Sequence, residues 1–236
     1  MKVLAFTGFI GCGKTTAAHL AVDYFGRRGK SVFKTCFAHY LKALAQKYFW
    51  MSKASPECDC DSEGYAMSRA RDLIIELCSN APNKAELPRN VLDIVPDDVR
   101  MELGRIAYSN DIRKVLQFIG TDIARKYICE DYWCKYIENV LEKVKPYVDV
   151  AFIDDCRFLD EAESLRSIGG RIIQVQSDFE IAARRMGLSL DVYMDKISHA
   201  SEQDCTKMNA GGLVVNNTTM GDLRSQVYTE CEDILL

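Results

Sequence analysis

No apolar run in this 236-residue chain approaches the roughly 20 residues that a membrane-crossing helix needs. The opening Met1-Lys2-Val3-Leu4-Ala5-Phe6-Thr7-Gly8 has one positive charge and a short apolar stretch. It lacks the longer apolar run and the small-residue cleavage site of a secretion signal, so an intracellular, cytoplasmic protein with no membrane partner is expected. A basic excess is missing too: 30 Lys and Arg stand against 34 Asp and Glu, for a net charge of -4. A general polyanion binder carries surplus positive charge, so broad nucleic-acid binding is disfavoured, while a local basic pocket for a small phosphate ligand remains open. Repeats and low-complexity linkers are absent. The 10 cysteines are scattered, and several, such as Cys78, Cys129 and Cys134, fall in helix-like segments. An intracellular address keeps them reduced. The one tight pair, Cys58-Asp59-Cys60, lacks the further ligands a zinc site needs, with Cys36 and His39 as remote candidates. We read it as a pair of loop cysteines.

What is present is an ordinary globular composition, 48% apolar and 27% charged, in a chain long enough for one well-buried α/β domain. Five runs rich in Val, Ile, Phe or Leu read as buried parallel strands: Val3 to Thr7, Ser31 to Thr35, Val148 to Asp154, Arg171 to Gln176 and Leu213 to Asn216. Helical patterns cover Lys14 to Arg28 (closed by Gly29), Tyr40 to Trp50, Asp111 to Ile128, Asp131 to Lys145, Asp160 to Ile168 and Gly221 to Leu236. The alternation predicts a doubly wound, mainly parallel five-stranded sheet. No strand is legible from Tyr40 to Lys145, which reads as a helical insertion over roughly residues 40–146 within a single domain. Met51 to Glu63 reads as loop.

Gly8-Phe9-Ile10-Gly11-Cys12-Gly13-Lys14-Thr15 fits G-x-x-x-x-G-K-[ST] at every fixed position, with a strand before it and a helix after it. Glycines let backbone N–H groups close around phosphate oxygens, and the helix start adds unpaired N–H groups and a positive dipole end. ATP and Mg²⁺ are the expected cofactors. Gly8, Gly11, Cys12 and Gly13 form the cradle, Lys14 reaches the β- and γ-phosphates, and the Thr15 hydroxyl ligates the metal. Thr16 is read as an α-phosphate contact or as a helix-surface threonine. The strand Val150-Ala151-Phe152-Ile153 ends in Asp154-Asp155. An acid there holds magnesium directly or through water, and alternation within a strand would let only one of the pair face the phosphates. Arg157 is either a phosphate clamp or a partner of Asp154 or Asp160.

Ile112-Arg113-Lys114-Val115-Leu116-Gln117-Phe118-Ile119-Gly120-Thr121-Asp122, followed by Asp131-Tyr132-Trp133, resembles the "LQ-x-x-G-T-D … W" segment of phage deoxynucleoside monophosphate kinases. Phe37-Ala38-His39-Tyr40-Leu41-Lys42 resembles their "F-A-x-P-L-K", with Tyr40 in place of proline. Asp155-Cys156-Arg157-Phe158-Leu159-Asp160-Glu161 is similar to "D-x-R-F-x-N-E", with Asp160 in place of asparagine. His199-Ala200-Ser201-Glu202 is similar to "H-x-S-E", and Val215-Asn216-Asn217 to the late strand ending in asparagine. The resemblance runs in order along the whole chain but finds no counterpart around Met51 to Arg100. It implies a nucleoside monophosphate kinase fold, with ATP as donor and a small deoxynucleotide as acceptor, and a host cytoplasm if the source is viral. It also favours Asp155 over Asp154 as the metal carboxylate.

An acceptor phosphate must meet the γ-phosphate against charge repulsion, so cations must surround it. Lys42, Arg113, Arg125 and Arg157 are the candidates, with solvated helix faces as the alternative for Lys42 and Arg113. Gln117 can read a base edge. Phe37 or Trp133 can stack on the base or wall off C2′, or simply belong to the core. Asp122 can bond a sugar hydroxyl or cap a turn. The family resemblance also implies a lid over roughly residues 178–202. Arg184 and Arg185 would lie in it, only one of them turned inward, and His199 is read as structural. Self-association into a homodimer is left open. Two other readings remain: a kinase of another small acceptor, such as dephospho-coenzyme A or a nucleoside, and a nucleotide-binding switch or ATPase.

Overall fold

The computed structural model describes residues 1–50, 63–109, 111–198 and 200–235. Its main elements, in chain order, begin with β1 (Lys2–Thr7), α1 (Lys14–Gly26), β2 (Val32–Thr35) and α2 (His39–Ala45). A π-helical segment Gln46–Trp50, α3 (Glu63–Ser79), α4 (Asp97–Tyr108), α5 (Ile112–Gln117), a second π-helical segment Phe118–Ile128 and α6 (Tyr132–Val144) come next. The chain continues with β3 (Val150–Ile153), α7 (Leu159–Ser167), β4 (Arg171–Gln176), α8 (Phe179–Arg185), α9 (Leu190–Ile197), α10 (Ala200–Gln203), β5 (Gly212–Val215) and α11 (Met220–Leu235). Two compact units result: residues 1–37 with 137–236, and residues 38–136. No described helix is long and apolar enough to cross a membrane.

The first unit is built on a five-stranded sheet of order β2-β3-β1-β4-β5, and every pairing is parallel. All of β3 and the last five residues of β1 are buried, as apolar strands covered on both faces must be. Leu4, Phe6 and Phe152 share one face and pack with Ala17, Ala21 and Phe25 of α1 and with Leu223 and Val227 of α11. Pleating sends Ala5 and Ile153 to the opposite face. β1 lies at the centre, with β3 and β2 to one side and β4 and β5 to the other. Its carboxyl end therefore opens where open α/β sheets bind ligands. All five expected strands form, four of them with ends shifted by one or two residues. α1 stops at Gly26, short of the expected Arg28, and Gly29 closes the turn with a φ of 71°.

The described part of the second unit is helical. α3 packs along α4, burying Leu73, Ile74, Leu77 and Leu103. The single helix expected from Asp111 to Ile128 is instead α5 followed by the π-helical segment. Its wider turns close on a Cys129 N–H that donates five residues back to the Ala124 carbonyl, at 2.9 Å. Two side-chain demands accompany the change at Gly120. A Cβ there would lie 3.1 Å from Leu41 Cδ2, and the Gly120 carbonyl accepts the Trp133 indole N–H at 3.0 Å. The helix expected from Tyr40 to Trp50 likewise turns π-helical at Gln46. The predicted loop of Met51 to Glu63, apart from Glu63 at the start of α3, lies outside the described residues. So does Cys58-Asp59-Cys60.

Candidate active site

β1 passes into a turn where Gly8, Gly11 and Gly13 have φ of 139°, 78° and 104°, conformations that L side chains rarely adopt. At two of them a side chain is also excluded by contact. A Cβ at Gly8 would sit 2.2 Å from the Val175 carbonyl oxygen, and one at Gly13 would sit 2.3 Å from Asn216 Nδ2. α1 begins at Lys14, directing its unpaired first-turn N–H groups and positive dipole end at the turn. Lys14 Nζ donates to the carbonyls of Gly8 at 2.7 Å and Phe9 at 2.9 Å, so the ammonium arches over its own loop. Thr15 is exposed and Thr16 half-buried in the same first turn. Burial pushes the Cys12 thiol up, while Lys14 pulls it the other way. The net rise keeps it a thiol at neutral pH, and Cys12 serves the loop through its backbone.

The loop is braced by residues far away in sequence. Asn216, just past β5, donates from Nδ2 to the Cys12 carbonyl at 2.8 Å, and its Oδ1 accepts from Arg185 Nη2 at 3.2 Å. The Tyr193 hydroxyl donates to the Ile10 carbonyl at 2.8 Å. Glu202, only 2% exposed, accepts the Ile10 N–H at 2.8 Å and Arg157 Nη1 at 2.9 Å. Of the partners expected for Arg157, neither Asp154 nor Asp160 is the one found; Glu202 holds it.

Beside the loop, the Cys156 N–H donates to the Phe6 carbonyl at 3.2 Å, which fixes the end of β3 against β1. Asp155 is 9% exposed and accepts the Phe37 N–H at 2.7 Å. Asp154 pairs with Lys34 Nζ at 2.7 Å. β3 ends at Ile153, so Asp154 and Asp155 lie past the strand and its alternation of faces does not extend to them. Ligand atoms of Cys36, Asp154 and Asp155 lie within 4.8 Å of one another. The two carboxylates are hard oxygen donors of the kind a divalent cation takes. Thr7, the last residue of β1, keeps a buried hydroxyl oxygen with no hydrogen-bond partner among the described residues.

The remaining candidates are distributed as follows. Arg185 is tied to Ser177 Oγ and Asn216 Oδ1, both at 3.2 Å. Arg184 is exposed, with no side-chain partner among the described residues. Phe37 and Trp133 are 3% and 4% exposed. Trp133 donates to Gly120 and packs on the Tyr132 ring at 4.7 Å and 60°; it is a core residue of the second unit, with no ring face open for a base. Also in that unit, Arg113 and Gln117 are half-buried and share one face of α5. Lys42 is exposed on α2, and Asp122 is exposed on the π-helical segment. Arg125 is half-buried, and its Nη1 reaches the Glu130 carbonyl at 3.4 Å. His199 lies outside the described residues. Sequence reasoning assigned no role to Tyr193, Glu202 or Asn216, although Glu202 and Asn216 stand in the segments that carry the family resemblance.

A glycine-bounded phosphate loop on the central strand of a parallel sheet, a lysine opening the next helix, and acids on the adjoining strand end together define a P-loop phosphotransferase. A sequence profile described as deoxynucleotide monophosphate kinase matches residues 97–227. That is more than half of the chain, and the chain belongs to this family. It is 25% identical over 245 residues to a protein of Acanthamoeba polyphaga mimivirus that carries the name deoxynucleotide monophosphate kinase as a provisional assignment. The match covers 99% of this chain and 97% of that one. It is 43% identical over 121 residues to the deoxynucleoside-5'-monophosphate kinase of Escherichia phage T5, covering 51% of this chain and 45% of that protein. Among solved structures, the dephospho-CoA kinase from Campylobacter jejuni superposes with a TM-score of 0.45 at 16% identity, over 99% of this chain and 98% of that one.

Proposed function

We propose that the enzyme transfers the γ-phosphoryl group of ATP to the 5′-phosphate of a deoxynucleoside monophosphate, with Mg²⁺ as the metal. The observation that carries this reading is the phosphate loop: Gly8 and Gly13 have no room for a Cβ, and Lys14 is held over the turn by two carbonyls. An anionic phosphate oxygen is a stronger partner for an ammonium than a neutral carbonyl, so Lys14 is poised to exchange. Thr15, Asp155 and Asp154 supply oxygen donors suited to Mg²⁺. When bound, Mg²⁺ neutralises charge on the β- and γ-phosphate oxygens.

The chain's own groups account for the other requirements. The loop N–H groups and Lys14 hold the donor. Arg157 and Arg184 offset charge where acceptor and γ-phosphate approach. In the second unit, Arg113, Arg125 and Lys42 are the cations assigned to the acceptor phosphate, Gln117 to a base edge and Asp122 to a sugar hydroxyl. An acceptor phosphate oxygen forms the new P–O bond as the bond from the γ-phosphorus to its bridging oxygen breaks. That electron pair leaves with ADP. Positioning and charge compensation suffice for this step, since the protein forms no covalent bond.

The test is an ATP-coupled assay against a panel of ribo- and deoxynucleoside monophosphates. ADP should form only when a monophosphate is present, with matching formation of a diphosphate. ATP consumption that needs no acceptor would replace this reading with the ATPase or switch. Inactivity with every monophosphate, together with turnover of dephospho-coenzyme A or a nucleoside, would move the acceptor.

A further inference from the structure

Glu202 belongs neither to the phosphate loop nor to the acidic strand end, yet it touches both regions of the first unit. Its Oε2 accepts the Ile10 N–H at 2.8 Å and its Oε1 accepts Arg157 Nη1 at 2.9 Å. At 2% exposure this carboxylate has given up water, which is costly unless charged and polar partners replace it. The Ile10 peptide is gripped on its other side as well, because the Tyr193 hydroxyl donates to its carbonyl at 2.8 Å. The side chains of Phe9 and Ile10 pack against Ala182, Ala183 and Ile197. The segment that follows β4 therefore holds the third residue of the loop by both backbone groups and by its side chain.

We infer that Glu202 is a positioning residue: one buried carboxylate that fixes Arg157 and the phosphate loop relative to each other. The inference rests on the proposed phosphoryl transfer. A free arginine samples many rotamers, and immobilising it costs conformational entropy. A charge-assisted hydrogen bond to a buried carboxylate holds it in place beforehand. A guanidinium has five N–H donors, so one bond to Glu202 leaves the others for a phosphate. The same carboxylate sets the backbone path of the loop, so donor site and arginine stay in register.

The test separates the two arms. Glu202→Gln keeps the size and an acceptor oxygen for Ile10 but removes the charge that holds Arg157. It should lower kcat about tenfold to a hundredfold while changing the Kd for ADP less than about threefold, in the range seen for coupled contacts. In an Arg157→Met background the same substitution should have little further effect on kcat. Glu202→Ala and Tyr193→Phe release the Ile10 peptide and should weaken ADP binding. An unchanged kcat in folded Glu202→Gln, or an equal loss with and without Arg157, would overturn the inference. Should Glu202→Gln not fold, Glu202→Asp, which keeps the charge but withdraws it, takes its place in the same cycle. If the wild-type enzyme used no monophosphate, the proposed acceptor would fall, but the ADP measurement would still decide the loop arm. Unchanged ADP affinity in both Glu202→Ala and Tyr193→Phe would overturn that arm alone.

Discussion

Lys14 spans the loop with two hydrogen bonds to its own carbonyls, and nothing else in the turn carries positive charge. Lys14→Ala should therefore reduce phosphoryl transfer at least about a hundredfold, the usual cost of removing one preorganised charge-stabilising donor. The thermal midpoint should scarcely move, because the lost bonds were to a loop braced elsewhere by Asn216 and Glu202. Rates near wild type in a folded Lys14→Ala protein would refute the mechanism. The two strand-end acids can also be separated. Asp155 is the more buried and takes the Phe37 N–H, whereas Asp154 spends an oxygen on Lys34. Asp155→Asn should depress kcat and raise the Mg²⁺ concentration needed for half-maximal rate. Asp154→Asn should cost stability, about 1 kcal/mol for a partly exposed pair, and less activity. A Mg²⁺ titration of both variants checks this, and a crippled Asp154→Asn beside a normal Asp155→Asn reverses the assignment. The two arginines of α8 divide in the same way. Arg185 is engaged with Ser177 and Asn216, so Arg184→Ala should slow transfer more than Arg185→Ala does. Arg185→Ala should mainly loosen the bracing of the loop and weaken ATP binding. Equal rates in Arg184→Ala and wild type would make that end of α8 an ordinary surface.

At the scale of elements, the turn from β1 to α1 is the most constrained piece of backbone. Gly8→Ala would place a methyl group 2.2 Å from the Val175 carbonyl on β4, at a φ of 139°. Backbone strain and overpacking each cost about 1–3 kcal/mol. A combined loss of about 3 kcal/mol lowers the thermal midpoint of a chain this size by roughly 6–12 °C. Differential scanning calorimetry of Gly8→Ala beside Gly29→Ala, where a Cβ meets nothing within 4 Å, gives the comparison. Gly29→Ala should lose distinctly less, and equal losses would show that contact with β4 is not what requires glycine at position 8. The five strands could be read from the sequence because each is a short apolar run, and α1 because it follows the glycine-rich turn and is closed by Gly29. The break after Gln117 could not. Ile119 and Ile123 continue the helical stripe of Ile112, Val115 and Leu116, and the pattern carries no sign that the Gly120 carbonyl bonds Trp133.

For the whole molecule the expectation concerns metal and sugar. Excess chelator should abolish transfer, and added Mg²⁺ should restore it; transfer that persists without divalent metal would exclude the proposed role of Thr15 and Asp155. Deoxynucleoside monophosphates should be used better than their ribonucleotide counterparts. A 2′-hydroxyl buried without a partner costs about 1–3 kcal/mol, about tenfold to a hundredfold in kcat/KM. Comparing dGMP with GMP and dTMP with UMP under identical conditions measures it, and equal use of both sugars would remove the deoxy preference while leaving the kinase in place. The wall that would exclude the hydroxyl is not Trp133, whose ring is part of the core of the second unit and whose N–H is committed to Gly120.

The sequence by itself determined the parallel α/β class, the phosphate loop with Lys14 and Thr15, and the acidic end of β3. Each is a contiguous run whose residue types are dictated by local backbone geometry or by the charge of a phosphate. Only the tertiary structure decided that Glu202 rather than Asp154 or Asp160 holds Arg157, that among the described residues Arg185 is tethered while Arg184 is not, and that Asn216 closes against Gly13. Glu202 lies 45 residues from Arg157 and 192 from Ile10, and Asn216 lies 204 from Cys12. A hydrogen bond made across such separations depends on how strands β3, β4 and β5 stack beside β1, and no local pattern of residues records that.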